Sequence, residues 1–382
     1  MFDKQIQMVD LRGQYHRLKE EIDAAMQTVI ENGVFINGSQ VNTFAGHLAS
    51  YLDIPYVVPC GNGTDALQIA LMALDLKQGD EVIVPAFTYV AAAEVIALLG
   101  LVPVLVDVDP KTFNLDPRKI EEAISSNTRA IIAVHLFGQS CDMEAILKVA
   151  GKYHLYVLED NAQSIGAEYT FSDGKVKKTG TMGIIGTTSF FPSKPLACYG
   201  DGGALMTSDE SLAKRIRMIA NHGQERKYHH KLIGCNSRLD TLQAAILDVK
   251  LKHIDEFTKA RQVVAGRYDE ALAACDRLVI PEKSSFSTHV YHQYTIQLKP
   301  DGPDMAARRE LLQNRLKEKG IPTMVYYPMP LQEQDAYKWM ARMPGNIDKS
   351  AHLSKCVLSL PIHTEMTEDE QIYIIGTLLE SL

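Results

Sequence analysis

The chain's 382 residues, 46% hydrophobic and 23% charged, can build a large core and suggest two domains at the usual ~100–200 residues each. A net charge of −8 argues against sequence-independent nucleic-acid binding, which needs clustered Lys and Arg, yet leaves room for an anionic small molecule bound by local dipoles. Cys60, Cys141, Cys198, Cys235, Cys275 and Cys356 show neither CxxC pairing nor metal-type spacing and read as free thiols. Met1–Ile6 lacks a signal-peptide pattern, and no apolar run nears the ~18 residues of a membrane span, so a cytoplasmic protein that engages no membrane is expected.

Leu18, Ile22, Met26 and Ile30 repeat at helical spacing and predict a helix over residues 14–31, followed by a second over Val41–Leu52. Tyr56–Pro59 reads as a strand, then a Gly61–Thr64 turn opens a helix running from Asp65 to about Leu76. Strands at Glu81–Pro85, Val102–Val108, Arg129–Phe137 and Tyr156–Leu158 alternate with helices at Thr88–Leu99, Lys119–Ser125 and Met143–His154. This βαβα order, with near-continuous Val, Ile and Leu in the strands, predicts an α/β fold with a mostly parallel sheet covered on both faces. Ligands of such sheets bind at the carboxyl ends of strands.

Thr188–Phe191 and Ala204–Thr207 are predicted as further strands, and Asp240 to about Ala274 as one long helix joining a large domain (1–254) to a small α+β domain (255–382). In the latter, Val290–Leu298 and Val357–Pro361 read as strands and Arg308–Lys319 as an amphipathic helix. Thr367-Glu368-Asp369-Glu370 is a capping box before a terminal helix.

Three segments carry chemistry. In Gly61-Asn62-Gly63-Thr64-Asp65 the free amides at a helix start, the helix dipole and the Thr64 hydroxyl would favour an anion, although a plain N-cap turn has the same look. Asp160 closes an apolar strand and needs a partner there; a protonated pyridine nitrogen suits it, and Gln163 would reach the same ring. Lys194 lies among Ser189, Ser193, prolines and the Gly200-Asp201-Gly202-Gly203 turn, unlike a solvated lysine, and Ser189 would donate to a phosphate. Amine, carboxylate and anion cradle together are what pyridoxal phosphate requires. Tyr89 or Phe87 would stack on its ring. The histidines of His222–His230 lack metal-ligand spacing, so no metal is expected, and Arg238 is either a carboxylate clamp or a surface ion-pair partner.

Taken jointly, Val9-Asp10-Leu11, Asn62–Leu67, Pro85–Tyr89, Glu159-Asp160 with Gln163, Ser189–Lys194, Gly200–Gly203, Asn236–Leu239 and Tyr327-Pro328 resemble the DegT/DnrJ/StrS sugar aminotransferases over essentially the whole chain. The resemblance implies the PLP fold-type I, aspartate aminotransferase-like. It implies that Lys194 carries the cofactor covalently, that Asp160 and Gln163 meet its ring, and that Gly63, Thr64 and Ser189 hold its phosphate. It further implies a homodimer with shared sites, each completed by Asn236 and Arg238 of the second subunit, with Tyr326 and Tyr327 near the sugar.

Ser189–Leu196, His222–His230 and Asn236–Leu242 look most like the subgroup that aminates UDP-linked 3-keto N-acetylated uronic acids, with L-glutamate as donor, for bacterial O-antigen and other surface polysaccharide. Arg238 then has a sugar carboxylate to bind. Other nucleotide-linked ketosugars, or a cofactor-binding regulatory protein without turnover, are the alternatives. Tyr326 and Gln332 stand where many members have His, while Asn161 and Ala197 replace the usual Ala and Gly. The family's dehydratases replace the lysine with histidine, so Lys194 implies transamination.

Overall fold

The computed structural model describes residues 6–300 and 304–382; Met1–Gln5, which enter the signal-peptide argument, lie outside the described residues. Two helices stand where residues 14–31 predict one: α1 (Leu11–Arg17) and α2 (Lys19–Asn32) meet at Leu18, which turns inward and is buried. Asp10 starts α1 by accepting from Gly13 N at 2.7 Å, and Gly33 ends α2 in the left-handed conformation. In α3 (Ser39–Leu52), Phe44, Leu48 and Leu52 form one buried stripe at helical spacing.

The main sheet has seven strands: β1 (Tyr56–Cys60), β2 (Glu81–Pro85), β3 (Val102–Val106), β4 (Thr128–Val134), β5 (Tyr156–Asp160) and, beyond the small β6–β7 hairpin (Glu168–Thr170, Val176–Lys178), β8 (Ile185–Ser189) and β9 (Gly203–Thr207). Their order is β1-β9-β8-β5-β4-β2-β3. β9 is antiparallel to both neighbours, and the remaining pairs are parallel. Every residue of β2 and β9 is buried, which accounts for their lack of polar alternation.

The crossover helices are α4 (Gly63–Ala73), α5 (Ala91–Leu98), α6 (Pro117–Ala123) and α7 (Met143–Tyr153). The helix predicted from Thr88 begins only at Ala91, leaving Thr88 and Tyr89 in the preceding loop. A fifth, α8 (Glu210–Ala220), follows β9. A short hairpin, β10 (Gln224–Arg226) and β11 (His229–His230), precedes two further helices.

The long connector predicted over residues 240–274 is α9 (Thr241–Leu251) and α10 (Ile254–Leu272), interrupted at Lys252-His253. Beyond it, β12 (Leu278–Val279), β13 (Tyr294–Leu298), α11 (Met305–Glu318), α12 (Asp348–Cys356), β14 (Val357–Leu360) and α13 (Glu368–Ser381) form an α+β layer. Its antiparallel sheet runs β12-β13-β14 around a core holding Tyr268, Tyr294, Ile296, Leu316, Leu358 and Ile374. The Thr367–Glu370 capping box is formed in both directions. α12 packs differently: Leu353 and Cys356 join the core of the large sheet. Its start is fastened by Asp107, which accepts from Lys349 N, Ser350 N and Ser350 Oγ at 2.9, 2.8 and 2.7 Å.

Candidate active site

A cavity of about 440 Å³ opens at the carboxyl ends of the parallel strands. Five of them supply its wall: Asn62, Gly63 and Thr64 follow β1, Thr88 and Tyr89 follow β2, Phe137 follows β4, Asp160 and Gln163 come from the end of β5, and Ser189 and Lys194 from β8 and its loop. His292, Gln293, Tyr326 and Tyr327 close it from the C-terminal layer.

Lys194 and Asp160 share this cavity. Burial lowers the lysine's proton affinity, and the Asp160 charge partly restores it. Burial likewise raises the Asp160 pKa, against the Ala162 N–H at 3.0 Å and the Lys194 charge. Each group is thus pushed towards its neutral form by loss of water and towards its charged form by the other. A carboxylate with one backbone donor keeps acceptor capacity for a cationic N–H, and a desolvated amine is available as base or nucleophile.

The predicted anion cradle is built by close approach of two segments. Asn62 Oδ1 caps α4 by accepting from Asp65 N at 2.8 Å, and the first residues of the helix, Gly63 and Thr64, line the cavity. A Cβ at Gly63 would lie 2.6 Å from Ser189 Cβ, so glycine is what brings the helix start against the Ser189 hydroxyl. Thr88 Oγ1, a cavity-lining hydroxyl, is buried without a hydrogen-bond partner. The cradle, the orphaned hydroxyl and the Lys194–Asp160 pair fit pyridoxal phosphate, with its anion at one end and its ring nitrogen at the other.

Of the two aromatic candidates, Phe87 is 1% exposed and stacks on Phe113 in the core with ring centroids 6.3 Å apart, so it has no face free for a ligand. Tyr89 is 59% exposed and lines the cavity beside Tyr327, its ring centroid 6.4 Å away. Gln163 accepts from Phe137 N at 2.9 Å and donates to the Tyr327 hydroxyl at 3.3 Å, which orients both side chains at the wall. Burial keeps that hydroxyl protonated.

Asn236 and Arg238 do not line this cavity in their own chain. Asn236 bridges to Asn221, Arg238 donates to Asn221 Oδ1 at 3.0 Å, and Ser237 between them accepts from Gly61 N at 2.9 Å, behind the cradle. Arg238 instead lines a second cavity of about 390 Å³ with Arg217 and Asn37. No metal-ligating cluster occurs among the described residues, no helix of theirs is long and apolar enough to cross a membrane, and all six cysteines are free.

Thr88, Phe137, His292 and Gln293 are wall residues that the sequence reading passes over. Thr88 adjoins Tyr89 in the loop after β2, so its place at a strand end was a signal for it. The others come from turns and a distant loop with no motif to mark them.

A model of the DegT/DnrJ/EryC1/StrS aminotransferase family matches residues 16–379. The chain is 48% identical over 359 residues (94% of this chain, 95% of the relative) to UDP-2-acetamido-2-deoxy-3-oxo-D-glucuronate aminotransferase of Pseudomonas aeruginosa. Among solved structures, a DegT/DnrJ/EryC1/StrS aminotransferase from Brucella abortus superposes with a TM-score of 0.92 at 39% identity, covering 98% of this chain and 99% of that one. NtdA from Bacillus subtilis, with bound cofactor PMP, matches with a TM-score of 0.85 at 33% identity over 95% of this chain and 81% of that one.

Proposed function

Because this chain belongs to the DegT/DnrJ/EryC1/StrS aminotransferase family, pyridoxal phosphate enzymes of the type I fold acting on nucleotide sugars, we propose that it aminates the 3-keto group of a UDP-linked N-acetylated uronic acid, with L-glutamate as donor, in bacterial surface polysaccharide synthesis. The observation that carries this reading is the Lys194–Asp160 pair facing one cavity beside the Gly63–Ser189 cradle.

When bound, the cofactor supplies an electron-withdrawing ring that stabilises negative charge on the carbon losing its proton. Asp160 holds the ring's N–H and thereby keeps the ring cationic. Gly63, Thr64 and Ser189, with the α4 dipole, hold the phosphate. Gln163 and Tyr89 orient and cover the ring. Lys194 would anchor the cofactor covalently and, once displaced as a free amine of lowered basicity, would carry the proton between the substrate carbon and the cofactor's carbonyl-derived carbon across the shared nitrogen. Donor and ketosugar use one site in turn, so ping-pong kinetics are expected.

A second copy of the chain completes the site in this reading. Exposed Val34, Phe35 and Ile36 form an apolar stretch, with Ile36 bridged to Asp240, on the side where Arg238 lines the second cavity. This arrangement supports a homodimer in which Asn236 reaches the phosphate and Arg238 the sugar carboxylate across the interface. Tyr326 and Tyr327 then face the sugar.

Mixing Lys194→Ala with Arg238→Ala protein tests both halves of the proposal. Each variant alone is expected to be inactive on the UDP-linked 3-keto uronic acid, and the mixture to regain activity through hybrid dimers with one intact site. No recovery after confirmed subunit exchange rejects the shared site. Unchanged KM for the sugar in Arg238→Ala rejects the uronic acid assignment.

A further inference from the structure

His292 reaches the cavity from the C-terminal layer. It follows Tyr291, whose φ of 49° turns the backbone just ahead of β13. Val290 N donates to Gly138 O at 2.8 Å, and Gln293 N donates to Phe137 O at 3.2 Å. A Cβ at Gly138 would lie 2.9 Å from His292 N, so glycine alone lets the two segments close this tightly.

The His292 ring lines the same cavity as Lys194, the residue is 6% exposed, and its Nδ1 is buried with no hydrogen-bond partner. The charges that act on it are those of Lys194, from the loop after β8, and Arg261 of α10. Arg261 is itself 4% exposed, with Nε and Nη1 unpartnered. The Arg261 charge also acts on His363, whose Nδ1 likewise lacks a partner. No carboxylate is among the charges acting on His292. Lys194 has Asp160 as its counter-charge, whereas Arg261 has no ion pair among the described residues; a buried cation without an anion is costly, and a carboxylate is the group whose charge and lone pairs match it.

We propose that His292, backed by Arg261, is a carboxylate subsite of the cavity that receives the carboxylate of the amino-acid donor and gains a proton from solvent as it does so. The proposal rests on the aminotransferase reading above. Burial first, then the Lys194 and Arg261 charges, hold the free ring well below its ordinary 6.5, so it is neutral near pH 7. An arriving carboxylate offsets those charges and restores the ring's basicity. Proton uptake then makes binding weaken as pH rises, by up to about tenfold per unit.

Glutarate, an unreactive dicarboxylate, serves as probe on the holoenzyme by calorimetry at pH 7.5 in Hepes and in Tris. The two buffers differ in ionisation heat and so report protons exchanged. We expect uptake of up to one proton per site in the wild type. His292→Gln should bind glutarate about tenfold or more weakly, without uptake, while binding UDP as the wild type does and unfolding within a few degrees of it. Arg261→Met tests the backing charge; because it can misfold, His292→Gln decides.

Equal affinity and uptake in wild type and His292→Gln overturn the proposal, as does failure of the wild type to bind glutarate. If glutarate behaves as expected while glutamate does not react, the subsite stands and the donor assignment alone falls.

Discussion

Glu159 and Asp160, neighbours at the end of β5, face opposite ways. Asp160 opens into the cavity, whereas Glu159 is fully buried and accepts from His135 Nε2 at 2.9 Å, Gly180 N at 2.8 Å, and Met182 N and Gly183 N at 2.6 Å each. Because His135 Nδ1 accepts from Cys141 N at 3.0 Å, its Nε2 carries the proton and donates. Burial would raise the Glu159 pKa, but the His135 bond and the Gly183 and Gly180 amides outweigh it and hold the carboxyl below its ordinary value. Glu159 thus pins the 180–183 turn that leads into β8, and β8 leads to Ser189 and Lys194.

Glu159→Gln should cost about 2–4 kcal/mol of stability, since an amide faces backbone donors with an N–H₂ group of its own. The folded carboxyl has the lower pKa, so its contribution is complete above the unfolded value near 4.5 and is lost as pH falls through the folded one. Urea unfolding from pH 7 down to about 3.5 should show the wild-type advantage over Glu159→Gln shrinking below about 4.5. A pH-independent difference would remove the ionised-Glu159 account.

Lys194→Ala should fold normally, lose the visible band of covalently held cofactor, and fall in turnover by at least about 10²–10⁴-fold. Absorption spectra before and after glutamate, with single-turnover kinetics, check this. A band surviving in full would remove Lys194 from its assigned role.

Gly63→Ala pushes a methyl against Ser189 Cβ at 2.6 Å and should act where the phosphate is held. Cofactor affinity of dialysed protein is expected to drop about tenfold or more, with a stability loss of about 1–3 kcal/mol from overpacking. Fluorescence titration with pyridoxal phosphate measures the first and denaturant unfolding the second. Unchanged cofactor affinity would move the cradle elsewhere.

Tyr89→Ala and Phe87→Ala should separate cleanly. Exposed Tyr89 contributes little to folding, so its loss should leave stability within about 0.5 kcal/mol while weakening cofactor retention. Buried Phe87 should cost about 3–5 kcal/mol as a core truncation. Thermal unfolding beside cofactor dissociation rates reads both, and the reverse pattern would reassign the ring-covering residue.

The parallel-sheet half of the fold was legible where its strands are apolar runs ending in turn residues, and those ends mark Thr64 and Asp160; β8 is Ile-Gly-Thr-Thr-Ser, no such run, and it lies at Ile185–Ser189 rather than over Thr188–Phe191. Breaks within helical patterns were not legible. Leu18 keeps the helical spacing across the α1–α2 junction, and Lys252-His253 carries no glycine or proline to mark the gap between α9 and α10. Helix α8 went unread, though Asp209 caps it by accepting from Ser211 N at 2.7 Å. The missed part of the site is mostly tertiary: His292 lines the cavity only because its loop packs on the Phe137-Gly138 turn, a contact across some 150 residues that no local pattern encodes.

The cavity wall spans the chain from Asn62 to Tyr327. During synthesis, therefore, the strand ends bearing Thr64, Asp160 and Lys194 leave the ribosome well before His292 and Tyr327 can close over them. The wall is thus complete only once the C-terminal layer has been made and has packed over the strand ends.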